Sequence, residues 1–255
     1  MIIDRQLTAD SAFYTITPSP KVSERYNMLP TADIVDHAVK AGYVLHSYQQ
    51  KRVRKVENQP FCKHIVRLRK PGQIEVGDVV PEIVLVNSHD RSSSLQFMLG
   101  FFRVVCANGL ITGDIFDDLG RILHNNKNPM EAVLDKIDNV FKVSEYKLPI
   151  IQQMRETHLS LEQTHHFIER AATITPARTY ENPMELNFIQ RYEDKDPTLW
   201  NTFNRVQENM IKGDARIIRM NGKTRKARAI KGIDTNIDIN RKLWNLAESF
   251  LPIAA

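Results

Sequence analysis

The sequence predicts an α+β fold: an antiparallel sheet with flanking helices, then a basic C-terminal β-hairpin and a closing helix. Three observations carry that expectation. Residues 43–105 hold several β-branched and aromatic runs separated by short turns, the pattern of an antiparallel meander. From residue 130 onward the apolar spacing changes to the i, i+3/i+4, i+7 stripe of amphipathic helices. Asn221–Gly222 then sits between two strand-like arms, a strong short-range hairpin signal. Strands first and helices afterwards favour α+β over an alternating α/β sheet.

Residues 1–30 are irregular and punctuated by Pro18, Pro20 and Pro30. Thr31 is the expected N-cap of a first helix, with Asp33 at its positive end, Ile34, Val35, Ala38 and Ala41 on its apolar face, and Gly42 as its stop. Tyr43–Val56 reads as strand and Asn58–Gln59–Pro60 as a turn. From Cys62 to Arg69 the chain alternates. Cys62, His64, Val66 and Leu68 share one face, while Lys63, Ile65, Arg67 and Arg69 form a basic outer face. Lys70–Pro71–Gly72 turns the chain, Val79–Asn87 reads as a buried strand, and Ser88–Ser94 is a polar loop. Leu95–Val105 is the next strand, with Ala107–Asn108–Gly109 as its exit turn.

In the second half, Met130–Val143 carries Val133, Leu134, Ile137, Val140 and Phe141 at helical spacing. Leu148–Ala172 holds one or two further helices, and Thr175–Pro183 is a linker. Thr198–Gly213 is a helix with Leu199, Phe203, Val206 and Met210 inward and Gly213 as its stop. Ala215–Met220 and Lys223–Ile230 are the hairpin arms. Asp238–Leu251 closes the chain through Leu243, Trp244, Leu246, Ala247 and Phe250. The expected organisation is an irregular segment over 1–30, an α+β core over 31–175, and a helix–hairpin–helix part over 176–255 packed on that core.

Composition excludes several function classes. The chain has 255 residues, 42% hydrophobic and 25% charged, the balance of a soluble globular protein. Its apolar runs are too short for a membrane-spanning helix, and MIIDRQLTAD is not a signal peptide. Cys62 and Cys106 are too few for a disulfide framework or a four-cysteine zinc site. No GxxxxGK[ST] or GxGxxG loop occurs. His89–Asp90 resembles the dipeptide of metal-dependent phosphohydrolases, but it follows a strand rather than lying on a helix, and Ser88, Asp90, Ser92 and Ser93 suit turn hydrogen bonding. His158, Glu162 and either His165 or His166 would share a face on one helix, as metal ligands or as a solvated polar face. The expectation is therefore a non-enzymatic protein, with no catalytic residue, metal or cofactor assigned.

Charge points elsewhere. The net charge is +5, but Lys40–Pro71 carries a local +8 and Lys212–Lys231 a local +7, which leaves −10 for the remainder. Concentrated basicity on an acidic body suits a polyanion. Side chains on one strand face repeat near the phosphate spacing of an extended strand. Lys51, Arg52, Arg54, Lys63, Arg67 and Arg69 are the expected phosphate contacts of the first basic stretch. Arg219, Lys223, Arg225 and Arg228 are those of the second. Tyr43, Tyr48 and Phe61 are candidate base-stacking residues. With no helix-turn-helix or zinc finger in the sequence, single-stranded DNA is the expected partner, with duplex DNA or RNA as alternatives. Reversing Arg67 and Arg225 to Glu is expected to abolish binding with little change in melting temperature.

The run VPEIVLVNSHDRSSSLQFMLGFFRVVCANGL resembles the phage- and plasmid-encoded family designated domain of unknown function 932. Members have a similar PEI-x-L-x-NSHDGSS segment followed by G-[FY]-FR-x-VC-x-NG. Further matches lie at Ser23–Tyr26, Lys63–Ile74, Leu199–Gly213 and Ile233–Glu248, so the resemblance spans most of residues 23–250. Arg91 stands where Gly is common, which stiffens that turn. The resemblance implies a protein of a bacteriophage, prophage or conjugative plasmid, acting in the bacterial cytoplasm, and carries over no catalytic residues. One implied role is single-stranded DNA binding or annealing in recombination or replication, as a homo-oligomer. The element order at 31–143 is similar to the Rad52-like annealing core. The other is anti-defence: inhibition of a host defence protein by protein–protein contact. The matched polar residues Asn87, Ser88, His89 and Asp90, and Asn204, Gln207, Glu208 and Asn209, are expected to form buried hydrogen-bond networks.

Overall fold

The computed structural model describes residues 7–72, 79–103, 109–111, 121–124 and 131–252. They divide into two compact units, the first ending at Glu145 and the second beginning at Tyr146. Cys106 and the exit turn at Ala107–Asn108 lie outside the described residues. Among the described residues, no helix is long and apolar enough to cross a membrane.

The first unit places helix α1 (Thr31–Lys40) before an antiparallel sheet. Its strands are β1 (Val44–Gln50), β2 (His64–Arg69), β3 (Val79–Asn87) and β4 (Leu95–Arg103). Short strands β5 (Gly109–Ile111) and β6 (Arg121–Ile122) both pair with β4. The order β1-β2-β3-β4-β5 is a meander, as the turn-separated runs imply. Register defines two faces. Tyr48, Val66 and Leu85 align across one, continued by Leu68, Ile83, Phe97, Leu99 and Phe101, all buried. On the other face Arg67 and Arg69 neighbour Glu82 and Val84 of β3. β3 is buried on both faces, which explains why it is apolar on both apart from Glu82 and Asn87; most antiparallel sheets keep one face wet.

Three local expectations change. Thr31 is the first helical residue and Pro30 the N-cap, because the Thr31 hydroxyl is occupied by His64 and Asn87. β1 ends at Gln50, six residues early, and Val56–Phe61 forms a 3-10 helix that contains Pro60. Arg91 adopts φ +67°, the left-handed region where a side chain strains the backbone. This is why a glycine suits the position. Arg91→Gly is expected to raise the unfolding free energy by up to about 1 kcal/mol, read as a higher urea midpoint. An unchanged or lower midpoint would count against strain at that residue.

Helix α2 (Glu131–Glu156) buries Val133, Ile137 and Val140, and the unit boundary falls within it. The second unit continues with α3 (Leu161–Thr173), started by a Ser160–Gln163 capping box. Next come β7 (Thr179–Tyr180), α4 (Leu199–Lys212), the ribbon β8 (Arg216–Ile218) with β9 (Thr224–Lys226), and α5 (Ile233–Glu248). The domain boundary expected near residue 175 lies instead at residue 145, since α3 packs on α4, α5 and the 3-10 turn Pro183–Asn187. The expected linker over 175–183 contributes β7, which pairs with β8. α5 starts five residues earlier than expected, at the cap Gly232. Thr198 caps α4 through Asn201 N–H, and Gly213 stops it at φ +79°. A Cβ at Gly213 would lie 2.5 Å from the Arg228 carbonyl carbon, so this helix end can touch the ribbon only as glycine.

Candidate nucleic-acid interface

The cations of the first basic stretch separate into two groups. Arg67 and Arg69 both bind the fully buried Glu82, at 2.8 and 2.7 Å. Arg69 also lies 3.9 Å over the Phe102 ring, and the His46 ring reaches within 4.0 Å of the same carboxylate. Burial, with Arg69 beside it, holds the His46 pKa below the ordinary imidazole value. The alternation expected for β2 holds, but its basic face is matched by an acid on β3 rather than by water. A reversal at Arg67 would therefore disturb the sheet as well as any bound strand.

Lys51, Arg52 and Arg54 lie beyond the end of β1 and are exposed, and among the described residues no carboxylate pairs with them. Lys63 is half-buried. Lys51 continues the pairing, its N–H donating to the Lys63 carbonyl at 2.8 Å. The buried Cys62 thiol lies 3.3 Å from the Lys51 carbonyl and 3.2 Å from that of Gln59. Burial, then the charge of Asp90, pushes that thiol up to about 11, so it stays protonated and unreactive. A cleft of about 450 Å³ is lined by Thr8, Gln50, Lys51, Arg52, Val53 and Gln59. Gln50 Oε1 already accepts from Ala12 N–H and from the Tyr48 hydroxyl, at 3.2 and 2.6 Å. Its amide NH2 is left as a donor beside two cations, a setting for phosphate or carbonyl oxygen. Lys21 joins this region by donating to Asn58 Oδ1 at 2.9 Å. Lys21 lies outside the Lys40–Pro71 stretch in sequence, and only the fold brings it here.

The stacking candidates fare differently. Tyr43 and Tyr48 are each 1% exposed, and their hydroxyls bind Asp138 and Gln50. They are core residues, unavailable to a base as they stand. Phe61 is half-buried in the 3-10 helix beside Cys62.

In the second unit the ribbon is charged unevenly. At its root Arg216 and Lys226 sit opposite each other and pair with Glu181 at 2.8 Å and Asp214 at 2.9 Å. Toward the tip Arg219 and Lys223 are exposed, and beyond β9 so is Arg228. Arg225 is half-buried and donates to the Lys226 carbonyl. Among the described residues none of these four has a carboxylate partner. Arg178 ties the ribbon to α4 by donating to the Met210 and Arg228 carbonyls.

The family model described as a domain of unknown function (DUF932) matches residues 20–244. The chain belongs to the DUF932 family. It is similar to two Escherichia coli (strain K12) proteins, UPF0380 protein YfjQ and UPF0380 protein YafZ. Each is 33% identical, over 97% of this chain and 93% of the relative. No solved structure matches the chain.

Asn87, Ser88 and His89 are buried, and Asp90 is half-buried. Asn87 donates to the Leu29 carbonyl and to Thr31 Oγ1, both at 3.0 Å, and its Oδ1 lies 3.0 Å from His124 Nε2. The Thr31 hydroxyl donates onward to His64 Nε2 at 2.7 Å, since His64 Nδ1–H is given to the Cys62 carbonyl. His89 Nε2–H donates to the Ala12 carbonyl at 2.9 Å, and His89 is fully buried. Asp90 accepts from Ser92 N–H in the turn. The His–Asp pair thus pins the N-terminal segment and shapes a loop. His158 lies between α2 and α3, bridged to Thr198, so it shares no helical face with Glu162, His165 and His166. Among the described residues, no three His, Cys, Asp or Glu side chains are grouped to hold a metal.

On α4 of this DUF932 chain the polar residues are buried as well. Gln207 donates to Asn240 at 2.6 Å, and Asn209 donates to the Leu186 and Phe188 carbonyls at 2.9 Å. Glu208 accepts from the Nε–H and an Nη2–H of Arg191 and is bridged by Lys212. Burial alone would raise the Glu208 pKa, but these two cations bring it below the ordinary value.

Proposed function

We propose that this DUF932 protein binds single-stranded nucleic acid without sequence preference, in recombination or replication of a bacteriophage or plasmid. Lys51, Arg52 and Arg54 contact phosphates in the first unit, and Arg219, Lys223, Arg225 and Arg228 do so in the second. One observation carries this reading: Arg67 and Arg69 are both held by the buried Glu82, whereas these seven cations have no carboxylate partner among the described residues. Lysines and arginines that contact phosphates displace the counterions condensed on the nucleic acid, and that release drives binding. No chemistry is required of such a protein, only contact and alignment. Annealing by a homo-oligomer of the Rad52-like kind, in the bacterial cytoplasm, is the form of this activity that the antiparallel sheet with flanking helices suits best.

The test is fluorescence anisotropy of a labelled ~30-mer single strand, and of duplex of equal length, over a salt series. The expected result is tighter binding of the single strand, with log affinity falling against log salt by about 0.7 per phosphate contact. Replacing Arg219 and Lys223 together by Gln reduces that slope by about 1.4 without moving the melting temperature. No binding at low salt, or a slope indifferent to both cations, overturns the reading.

A second reading, anti-defence by contact with a host protein, has one observation in its favour. Phe188, Ile189 and Tyr192 are exposed on a segment that Asn209 and Glu208 fasten from behind. A rigid apolar surface suits a protein partner. Failure of the anisotropy test makes this the leading reading.

A further inference from the structure

Met220 sits at the tip of the β8–β9 ribbon with its side chain wholly in water, at 109% of reference exposure. The loop that presents it is fixed. Arg219 N–H donates to the Lys223 carbonyl at 2.9 Å, and Gly222 N–H to the Arg219 carbonyl at 2.8 Å. Asn221 Oδ1 accepts from Lys223 N–H at 3.2 Å, and Gly222 supplies the required φ of +74°. Such a turn would serve equally well with a polar residue at 220. The charge distribution is the second, independent observation. Acids neutralise the root of the ribbon, and its tip is left with Arg219 and Lys223 on either side of the methionine.

We propose that this tip is a wedge: Arg219 and Lys223 hold adjacent phosphates of a single strand while Met220 inserts between the bases they carry. The inference rests on the nucleic-acid reading above and adds a base contact to it. Nucleic acid offers anionic oxygens on the outside and apolar base faces within side-chain reach, which is the complement of this tip. Apolar wedges between base steps are a known physical device. Methionine suits the role because its unbranched, polarisable thioether adapts to an aromatic face. An anionic bilayer offers similar chemistry, but one methionine buries too little hydrocarbon to anchor a chain there.

The experiment uses the full chain and a single strand with 2-aminopurine at an internal position, whose fluorescence reports unstacking. Saturating wild-type protein changes that fluorescence. Met220→Ala abolishes the change and weakens binding about tenfold, while the salt slope stays as in the wild type, because no phosphate contact is lost. Met220→Leu retains both signals. Since the side chain touches nothing in the fold, the Ala variant melts at the wild-type temperature. An Ala variant that binds and reports like the wild type overturns the wedge and leaves the nucleic-acid reading standing. A wild-type chain that ignores the oligonucleotide but binds phosphatidylglycerol vesicles through Met220 overturns both.

Discussion

Glu82→Gln is expected to destabilise the first unit by about 3 kcal/mol, the low end of the range for breaking a buried ion pair. Glu82 is fully buried, and the Arg67 and Arg69 side chains keep only 15% and 19% of their surface in water. Without the carboxylate, two guanidiniums remain largely desolvated, side by side, and repel each other. Coulomb attraction in a medium of lowered dielectric disappears, while the desolvation already incurred stays. Urea denaturation at pH 7 reads the loss as a lower midpoint. Replacing all three residues by apolar ones of similar volume should recover much of it, because the uncompensated charges go too. The same experiment bears on function. If Glu82→Gln leaves the midpoint unchanged, Arg67 and Arg69 are free to serve phosphate and return to the contact set first expected of them.

Acid should loosen the first unit well before its carboxylates titrate. Burial lowers the pKa of His64 to about 4, opposed by its bond to the Cys62 carbonyl and by Asp90. Burial and then the neighbouring His64 lower that of His89 to about 3, opposed by the Ala12 carbonyl and Asp90. The two rings lie 5.2 Å apart, with Tyr48 beside His64 and the His124 pKa also lowered by burial. In the unfolded chain both histidines take protons below about pH 6.5; in the folded chain they do so only near pH 4 and 3. The unfolded state therefore binds more protons throughout that window. Stability is complete above pH 6.5 and falls as pH drops, by up to about 1.4 kcal/mol per pH unit for each histidine. Urea midpoints between pH 7 and 5 read this loss together with those of His46 and His124, whose pKa values are also lowered, while Glu208 adds its own only below its unfolded value of 4.5. His89→Gln should flatten the profile. A midpoint that is level from pH 7 to 5 would contradict the neutral, buried state of the pair.

The elements most legible in the sequence were those with strong local chemistry. Thr198 and Gly213 bracket α4 as read, and the alternation through β2 predicts which side chains share a face. Ser160–Gln163 carries an equally local signal, the capping box that starts α3. Partners across the sheet were not legible. A lone glutamate in VVPEIVLVN looks like an isolated charge until register brings it beside Arg67 and Arg69. The two tyrosines met the same limit, because composition near a basic run says nothing about which way an aromatic ring points. Counting cations located the two candidate stretches. The positions of the acids decide which cations are paired and which are free, and those positions are set by tertiary pairing.

The full-circle burial of α4 has a consequence for how this chain can change over time. Every residue from Asn201 to Met210 is enclosed, polar ones included. An ordinary surface helix drifts freely along its wet side and is held along its dry side, so its variability rises and falls with the helical turn. α4 has no wet side over those ten residues. Constraint there runs as an unbroken block, and neighbours such as Gln207 and Asn240 can change only in concert.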